Sequence, residues 1–379
     1  MSELKRRDFL KTTAAVAAVS AAGRFGCVEM ASAAPIEAPV VDRVSVRVVI
    51  DGAYNLFLRP GEVKGVKIER PPLPGESDYR RAIHNEWGLS LFVESQRAAE
   101  QRNIMLDFGY TPTALLNNTE LLGIDASKIN ALVVSHGHYD HFGGLLGYLD
   151  KFRNVMPADL TLYAGGEDNF CTRHQVLAVQ GMPMQGEPGL SQWGTLDRRE
   201  LASRNVTTVL AETPTVIAGH AFTTGQIKRR TVEKVTGGSR VEYAMKDGFG
   251  CDASHFAPAD QLGKIVVDQH YHEHATCFNV KDRGLVVLSS CGHVGIVNSA
   301  KQAQEVSGVQ KVHALVGGFH LGATADPQLK LVIEEIRALN PDVIIPMHCS
   351  GDNFARAVRE TMPDKLIQPS TGARLTFGA

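Results

Sequence analysis

The sequence predicts a layered α/β protein, and three observations carry that expectation. Strand-like runs dominate the early chain, and strands alternate with helices in its C-terminal third. An almost wholly apolar strand of buried type, Ala131-Leu132-Val133-Val134-Ser135, leads directly into a histidine-rich motif. The background composition agrees. Of 379 residues, 44% are hydrophobic and 21% charged, which a largely disordered chain would not show. With 39 basic and 41 acidic side chains the net charge is −2. No broad electrostatic handle for nucleic acid or anionic lipid follows from that balance, so neither is expected as a partner.

Residues 1–33 read as an address rather than as fold. Arg6-Arg7-Asp8-Phe9-Leu10-Lys11 has the twin-arginine export pattern, a weakly apolar stretch runs from Thr12 to Ala22, and Ala31-Ser32-Ala33 offers a small-residue cleavage site. The apolar stretch is too short to span a bilayer. Cys27 could suggest a lipoprotein, but Arg24 stands where a lipobox wants an aliphatic residue. Residues 34–379 are then expected as one domain, periplasmic after export, with no stable membrane association. The twin-arginine machinery is a partner through the signal alone. Beyond Cys27, five cysteines remain, an odd number without paired spacing.

Along the remaining chain, Val44 to Asp51 alternates as a first strand. Lys64 to Gly75, rich in proline and charge, reads as an exposed loop. Leu89–Glu94 and Asn103–Asp107 are two further strands, followed by a helix over Ala114–Leu122, the buried strand 131–135 and a helix over Leu145–Phe152. Residues 165–262, dense in Gly, Pro, Thr and charge, are expected to carry strands with insertions at the site mouth. Regularity returns with strands at Ile265–Val267, Ala275–Val280 and Leu285–Ser290, and a helix at Asn298–Ser307. A strand at Val312–Val316, a helix at Pro327–Leu339, a strand at Asp342–Pro346 and a helix at Asn353–Thr361 complete the pattern.

The chemistry concentrates in Ser135-His136-Gly137-His138-Tyr139-Asp140-His141. Three imidazoles and a carboxylate directly after a buried strand suit a borderline cation such as zinc, with Gly137 letting the backbone bend between ligands. No G-x-S-x-G elbow, phosphate-cradling loop or dinucleotide fingerprint is present. His270, His272 and His274 alternate, so on a strand they would share one face. They are expected as a polar rim or substrate contact, with a third metal site as the alternative. Asp107 is expected to hydrogen-bond the histidine loop from beneath.

At this motif the chain resembles the metallo-β-lactamase-fold superfamily. More narrowly, it is similar to the branch of metal-dependent hydrolases that includes the 7,8-dihydropterin-6-yl-methyl-4-(β-D-ribofuranosyl)aminobenzene 5'-phosphate synthases. The narrower match rests on Asn85-Glu86-Trp87-Gly88-Leu89-Ser90, Leu106-Asp107-Phe108-Gly109, Ser290-Cys291-Gly292-His293, Gly317-Gly318-Phe319-His320-Leu321 and Pro346-Met347-His348-Cys349-Ser350-Gly351. The branch usually has His at the position of Trp87, and Gly-Cys-Ser-His at that of Ser-Cys-Gly-His.

The resemblance implies a four-layer αβ/βα sandwich with two divalent metal ions at one edge, zinc first, manganese or iron as alternatives. It implies His136 and His138 on one ion, and Asp140, His141 and His348 on the second. Where relatives carry a bridging Asp, this chain offers Cys291 and His293, His293 being the stronger ligand candidate. His220 matches a ligand position of other branches and is the weaker candidate beside Cys291. Asp140 and His320 are the expected catalytic groups, His320 as a general acid or a ligand. Glu86 and Glu273 match acidic positions that either anchor a ligand histidine or cap the sheet. The expected activity is exported, metal-dependent hydrolysis of a small ester-type substrate such as a phosphoester or lactone, by a hydroxide shared between two metals. A di-iron oxidoreductase on the same fold, a synthase like those of the named branch and a non-catalytic binding protein are the competing readings.

Overall fold

The computed structural model of the chain describes residues 35–73, 80–176, 190–234 and 238–378; the export segment lies outside them. Two large sheets dominate. One has nine strands in the order Thr207–Leu210, Thr161–Ala164, Ala131–Val134, Glu100–Leu106, Ser90–Arg97, Arg43–Ile50, Arg374–Phe377, Val66–Glu69, Gly61–Val63. The other runs Val216–Ile217, Ala221–Thr223, Thr276–Val280, Gly284–Ser289, Val312–Gly318, Val343–Met347, with Val40–Val41 beside Thr276–Val280.

Alternation along each strand explains the layers, because successive side chains point to opposite faces. Val44, Val46 and Val48 face Phe278, Val286, Leu288, Ala314 and Val316 of the other sheet, forming the central core. On Ala131–Val134, Ala131 and Val133 face that core. Leu132 and Val134 face outward, beneath Leu115 of helix Pro112–Leu121 and Leu145, Tyr148 and Leu149 of helix Leu145–Phe152. The second sheet's outer face is covered by helices Ile296–Ser307, Asp326–Leu339 and Asp352–Thr361, through residues such as Val297, Ala300, Val332, Ile336 and Phe354. The result is the four-layer αβ/βα sandwich that the sequence predicts.

Local chemistry fixes the boundaries. The first helix begins at Pro112, ahead of the expected Ala114, because Thr111 Oγ1 accepts the amide of Ala114 and proline fits the first turn. The helix expected from Asn298 starts at Ile296. Half-buried Glu233 accepts the amides of Val297 and Asn298 from outside the helix, satisfying donors that have no partner within it. The stretch 64–75 is not wholly a loop: Val66–Glu69 pairs antiparallel with Arg374–Phe377, with Val66 and Ile68 turned into the core. Residues 74–75 lie outside the described part.

Within 165–262, Thr207–Leu210 and Ala221–Thr223 belong to the two main sheets. Thr172–Val176, Leu190–Gln192 and Ser239–Glu242 form a separate four-stranded antiparallel sheet with Ile265–Val267, which the sequence had grouped with the regular C-terminal strands. A disulfide joins Cys171 to Cys251 in this region, a pairing 80 residues apart that spacing did not show. Among the described residues no helix is long and apolar enough to cross a membrane.

Candidate metal centre

Four strands end at one rim between the sheets, and each delivers chemistry just beyond its C-terminal end. Ala131–Val134 leads to His136–His141, Gly284–Ser289 to Cys291 and His293, Val312–Gly318 to His320, and Val343–Met347 to His348. Parallel strand pairs align these ends. That is where ligand sites of α/β sheets form.

Asp107 organises the first of them from a fully buried position. Its Oδ1 accepts the Ser135 amide at 2.8 Å, and its Oδ2 accepts the Ser135 hydroxyl and His141 Nδ1, both at 2.7 Å. Holding Nδ1 in this way fixes the ring and aims His141 Nε2 inward, the arrangement that orients metal-bound histidines. Ser135 Oγ lies 3.0 Å from His136 Nδ1, which leaves His136 Nε2 buried without a partner. Gly137 is needed for clearance rather than for a left-handed bend. It has no positive φ, but a Cβ there would lie 2.6 Å from the Asn169 carbonyl. Asp140 puts Oδ2 3.4 Å from His348 Nε2 and 3.9 Å from His141 Nε2, while its Oδ1 has no partner. Burial opposes the Asp140 charge, but His141 and His348 outweigh it and hold the carboxyl well below the usual range.

Buried carboxylates position the remaining groups. Glu273 accepts the amides of His293 and Val294 at 3.1 and 2.7 Å, and burial pushes its carboxyl up to about 7. Asp51 accepts the amide of His348 at 2.7 Å. Asp107, His270, His320 and His348 all adopt positive φ, between 48° and 57°. Such strained backbone in non-glycine residues gathers at functional sites. Glu86, by contrast, touches no histidine of the cluster. It accepts the amides of Tyr110 and Thr111 and the Thr111 hydroxyl, and so anchors the start of the first helix.

The cluster is tighter than the sequence indicated. Donor atoms of His136, His138 and His293 lie within 4.8 Å of one another, and so do those of His136, His141 and Cys291. Cys291 also groups with His293 and His320, and with His348 and Cys349, which puts its sulfur at the middle of the assembly. His293 stacks on His270 with ring centres 3.9 Å apart, and both nitrogens of each ring are buried without hydrogen-bond partners, His270 Nδ1 lying 3.6 Å from Asp268 Oδ1. Burial first, then mutual repulsion, keeps His293 neutral; burial does the same for His270. Neutral imidazoles with unused nitrogens are able to bind a metal ion.

His270 corrects the sequence reading. The chain turns at His270, so the three alternating histidines do not share a strand face. His270 joins the cluster with Asp268, whose Oδ2 lies 3.5 Å from His138 Nε2. Asp268 is in turn paired at 3.0 Å with the wholly buried Arg173. His272 instead accepts the Asp168 amide, and His274 donates to the Val134 carbonyl. His220 is a second correction. It binds Ser95 Oγ at 2.9 Å and lies 3.3 Å from Glu100 Oε2, at the far end of strand Ser90–Arg97 from the Ser90–Asp107 contact beside the cluster. Both His220 ring nitrogens are therefore engaged at the opposite end of that strand.

Cys349 was not singled out in the sequence. Its sulfur lies 3.3 Å from that of Cys291 and accepts the His320 amide. Burial and the Cys349 partner raise the Cys291 thiol well above the usual range, while the Cys291 hydrogen bond and the charge of His348 outweigh burial and hold Cys349 below it, so the metal-free pair shares one proton. A cavity of about 340 Å³ opens onto the cluster, lined by His138, Asp140, Cys291, His293, His320 and His348 together with Trp87 and Trp193. A larger groove of about 970 Å³ around Arg47, Lys67, Arg70 and Arg374 touches none of these residues.

Residues 88–161 match the metallo-beta-lactamase superfamily model, and residues 3–23 match the twin-arginine translocation signal sequence. A 7,8-dihydropterin-6-methyl-4-(beta-D-ribofuranosyl)-aminobenzene-5'-phosphate synthase of Methanocaldococcus jannaschii is 25% identical over 325 residues, covering 85% of this chain and all of the relative. An uncharacterised protein of the same organism, MJ0448, is 24% identical, covering 70% of this chain and 84% of its own. The crystal structure of Tm1679, a metal-dependent hydrolase of the beta-lactamase superfamily, superposes with a TM-score of 0.60 at 21% identity. The match covers 87% of this chain and 98% of that one.

Proposed function

From the premise that this chain has the metallo-β-lactamase fold, we propose that it is an exported, metal-dependent hydrolase acting on a small ester-type substrate, such as a phosphoester or lactone. One observation carries the reading: buried imidazole nitrogens of His136 and His293, grouped with that of His138, and a carboxylate oxygen of Asp140 beside His141 and His348 have no hydrogen-bond partners. Orphaned buried polar atoms are costly unless something satisfies them, and a divalent cation suits this donor set.

His136, His138 and His293 would hold one ion, and Asp140, His141 and His348 a second, with Cys291 in reach of both groups. Two such ions would supply Lewis acidity and a water that is acidic near neutral pH. Zinc is the ion of choice for imidazole, carboxylate and thiolate together. Asp107, Glu273 and Asp51 hold the donors in place. Asp268, braced by Arg173, orients His138. His320 lines the cavity; burial opposes its charge, but Cys349 and Glu273 raise its pKa, which suits donation of a proton to a leaving oxygen. The twin-arginine match supports export and a periplasmic location.

A second reading, a synthase like the named relative, is favoured by that relative's full-length match and by two tryptophans in the cavity lining that offer flat faces to a planar ring. A panel of phosphoesters, lactones and dihydropterin substrates, run with chelator and with zinc restored, separates the readings. Zinc-dependent cleavage of an ester supports the hydrolase. Turnover of dihydropterin substrates alone supports the synthase, and metal-independent turnover contradicts both.

A further inference from the structure

We propose that Cys291 and Cys349 both coordinate metal as thiolates, forming with His348 a soft, sulfur-rich position at the second-metal end of the centre. The inference rests on the metal-centre reading above and deepens it by naming the class of ion.

The geometry carries it. The two sulfurs stand 3.3 Å apart. That is well beyond the ~2.05 Å of a disulfide. It is about 0.5 Å short of the ~3.8 Å edge that two metal–sulfur bonds of about 2.3 Å span in a tetrahedron, a gap that a small side-chain rotation closes. Cys291 Sγ also lies 3.4 Å from His320 Nδ1, so the proton donor stands beside the sulfur pair. Donor atoms of Cys291, His348 and Cys349 lie within 4.8 Å of one another. Both cysteines are buried and remain free thiols, whereas Cys171 and Cys251 in the same protein are joined. The His320 amide points at the Cys349 sulfur from 3.3 Å, a donor that stabilises a thiolate. Cys277 is also buried and free, but it sits in strand Thr276–Val280 among apolar core residues and serves as an internal control.

Thiolate ligands select thiophilic ions and disfavour hard ones. Zinc, iron(II) and cobalt(II) should therefore occupy this end of the centre, and manganese and magnesium should not hold it against zinc.

The test uses the mature protein stripped with chelator and reloaded with cobalt(II). A near-ultraviolet sulfur-to-cobalt charge-transfer band is expected. It should fall by about half in Cys291→Ser and in Cys349→Ser, disappear in the double variant and persist in Cys277→Ser. Because a serine variant could fail to fold, the wild-type protein is also alkylated with iodoacetamide and mapped by mass spectrometry. Zinc should protect Cys291 and Cys349 together. Stoichiometric cobalt with visible ligand-field bands but no sulfur band, or thiols unprotected by zinc, would overturn this proposal and leave the hydrolase reading standing. No cobalt bound by the folded protein would defeat both.

Discussion

His141 and His348, 207 residues apart in sequence, face each other through their Nε2 atoms at 3.2 Å inside the protein. The Nδ1 of His141 is already engaged by Asp107, and the Nδ1 of His348 is buried without a partner. One proton can lie between the two Nε2 atoms, and a cation coordinated by both is the alternative. Asp140 beside them supplies the charge that makes the cation favourable.

Metal removal should therefore cost stability. An ion that binds only the folded state stabilises it by about 2.7 kcal/mol at a hundredfold excess over its dissociation constant. Calorimetry with chelator should show a clearly lower Tm, restored by adding zinc. An unchanged Tm would mean that the buried donors are satisfied without metal.

Asp107→Asn should weaken metal binding without dismantling the fold. The amide cannot accept both the Ser135 hydroxyl and the His141 ring proton with the strength of a carboxylate. Loss of such supporting bonds typically costs about 10–100-fold in metal affinity. Zinc competition against a chromophoric chelator measures it, and wild-type affinity in the variant would contradict the assigned role.

His220→Gln should leave metal content at the wild-type level. Its ring bonds to Ser95 and Glu100, so the substitution should cost stability by about 1 kcal/mol, the worth of a typical hydrogen bond. Elemental analysis of the variant checks this, and a loss of one ion per chain would return His220 to the ligand set.

The only two tryptophans of the chain both lie against cluster imidazoles, Trp87 on His348 and Trp193 on His138, each with ring centres 4.7 Å apart. Loading zinc should change intrinsic fluorescence, with Trp87→Phe and Trp193→Phe each removing part of the change. A flat titration, with metal shown to bind, would contradict this placement.

His272 gives the metal-free protein a pH-dependent term. Burial lowers its pKa to about 4 from 6.5, and its Nδ1 accepts the Asp168 amide, which requires the neutral ring. The unfolded chain binds the proton more tightly, so the contribution is present above pH 6.5 and is lost as pH falls toward 4. His272→Asn keeps an acceptor but does not titrate. Its Tm should fall less steeply across that window, and parallel curves would contradict the assignment.

What the sequence made legible follows from how local each signal is. The motif His136–His141 is contiguous after an apolar strand, so both its chemistry and its place at a strand end could be read directly. His293, His320 and His348 come from three other strand ends, and only resemblance to a known fold linked them. His270 was misread because residues 270, 272 and 274 alternate like a strand, while the backbone at His270 is left-handed at φ 50°. Val66–Glu69 was hidden by flanking prolines and charges, although Val66 and Ile68 alternate inward. The Cys171–Cys251 and Cys291–Cys349 neighbours depend on tertiary contacts that spacing does not encode.

The most direct measurement of the central claim is metal stoichiometry by elemental analysis of the purified mature protein, beside His138→Ala. Two zinc ions per chain in the wild type and fewer in the variant are the expected result. A well-folded protein with no stoichiometric metal would contradict the metal centre and the hydrolase built on it.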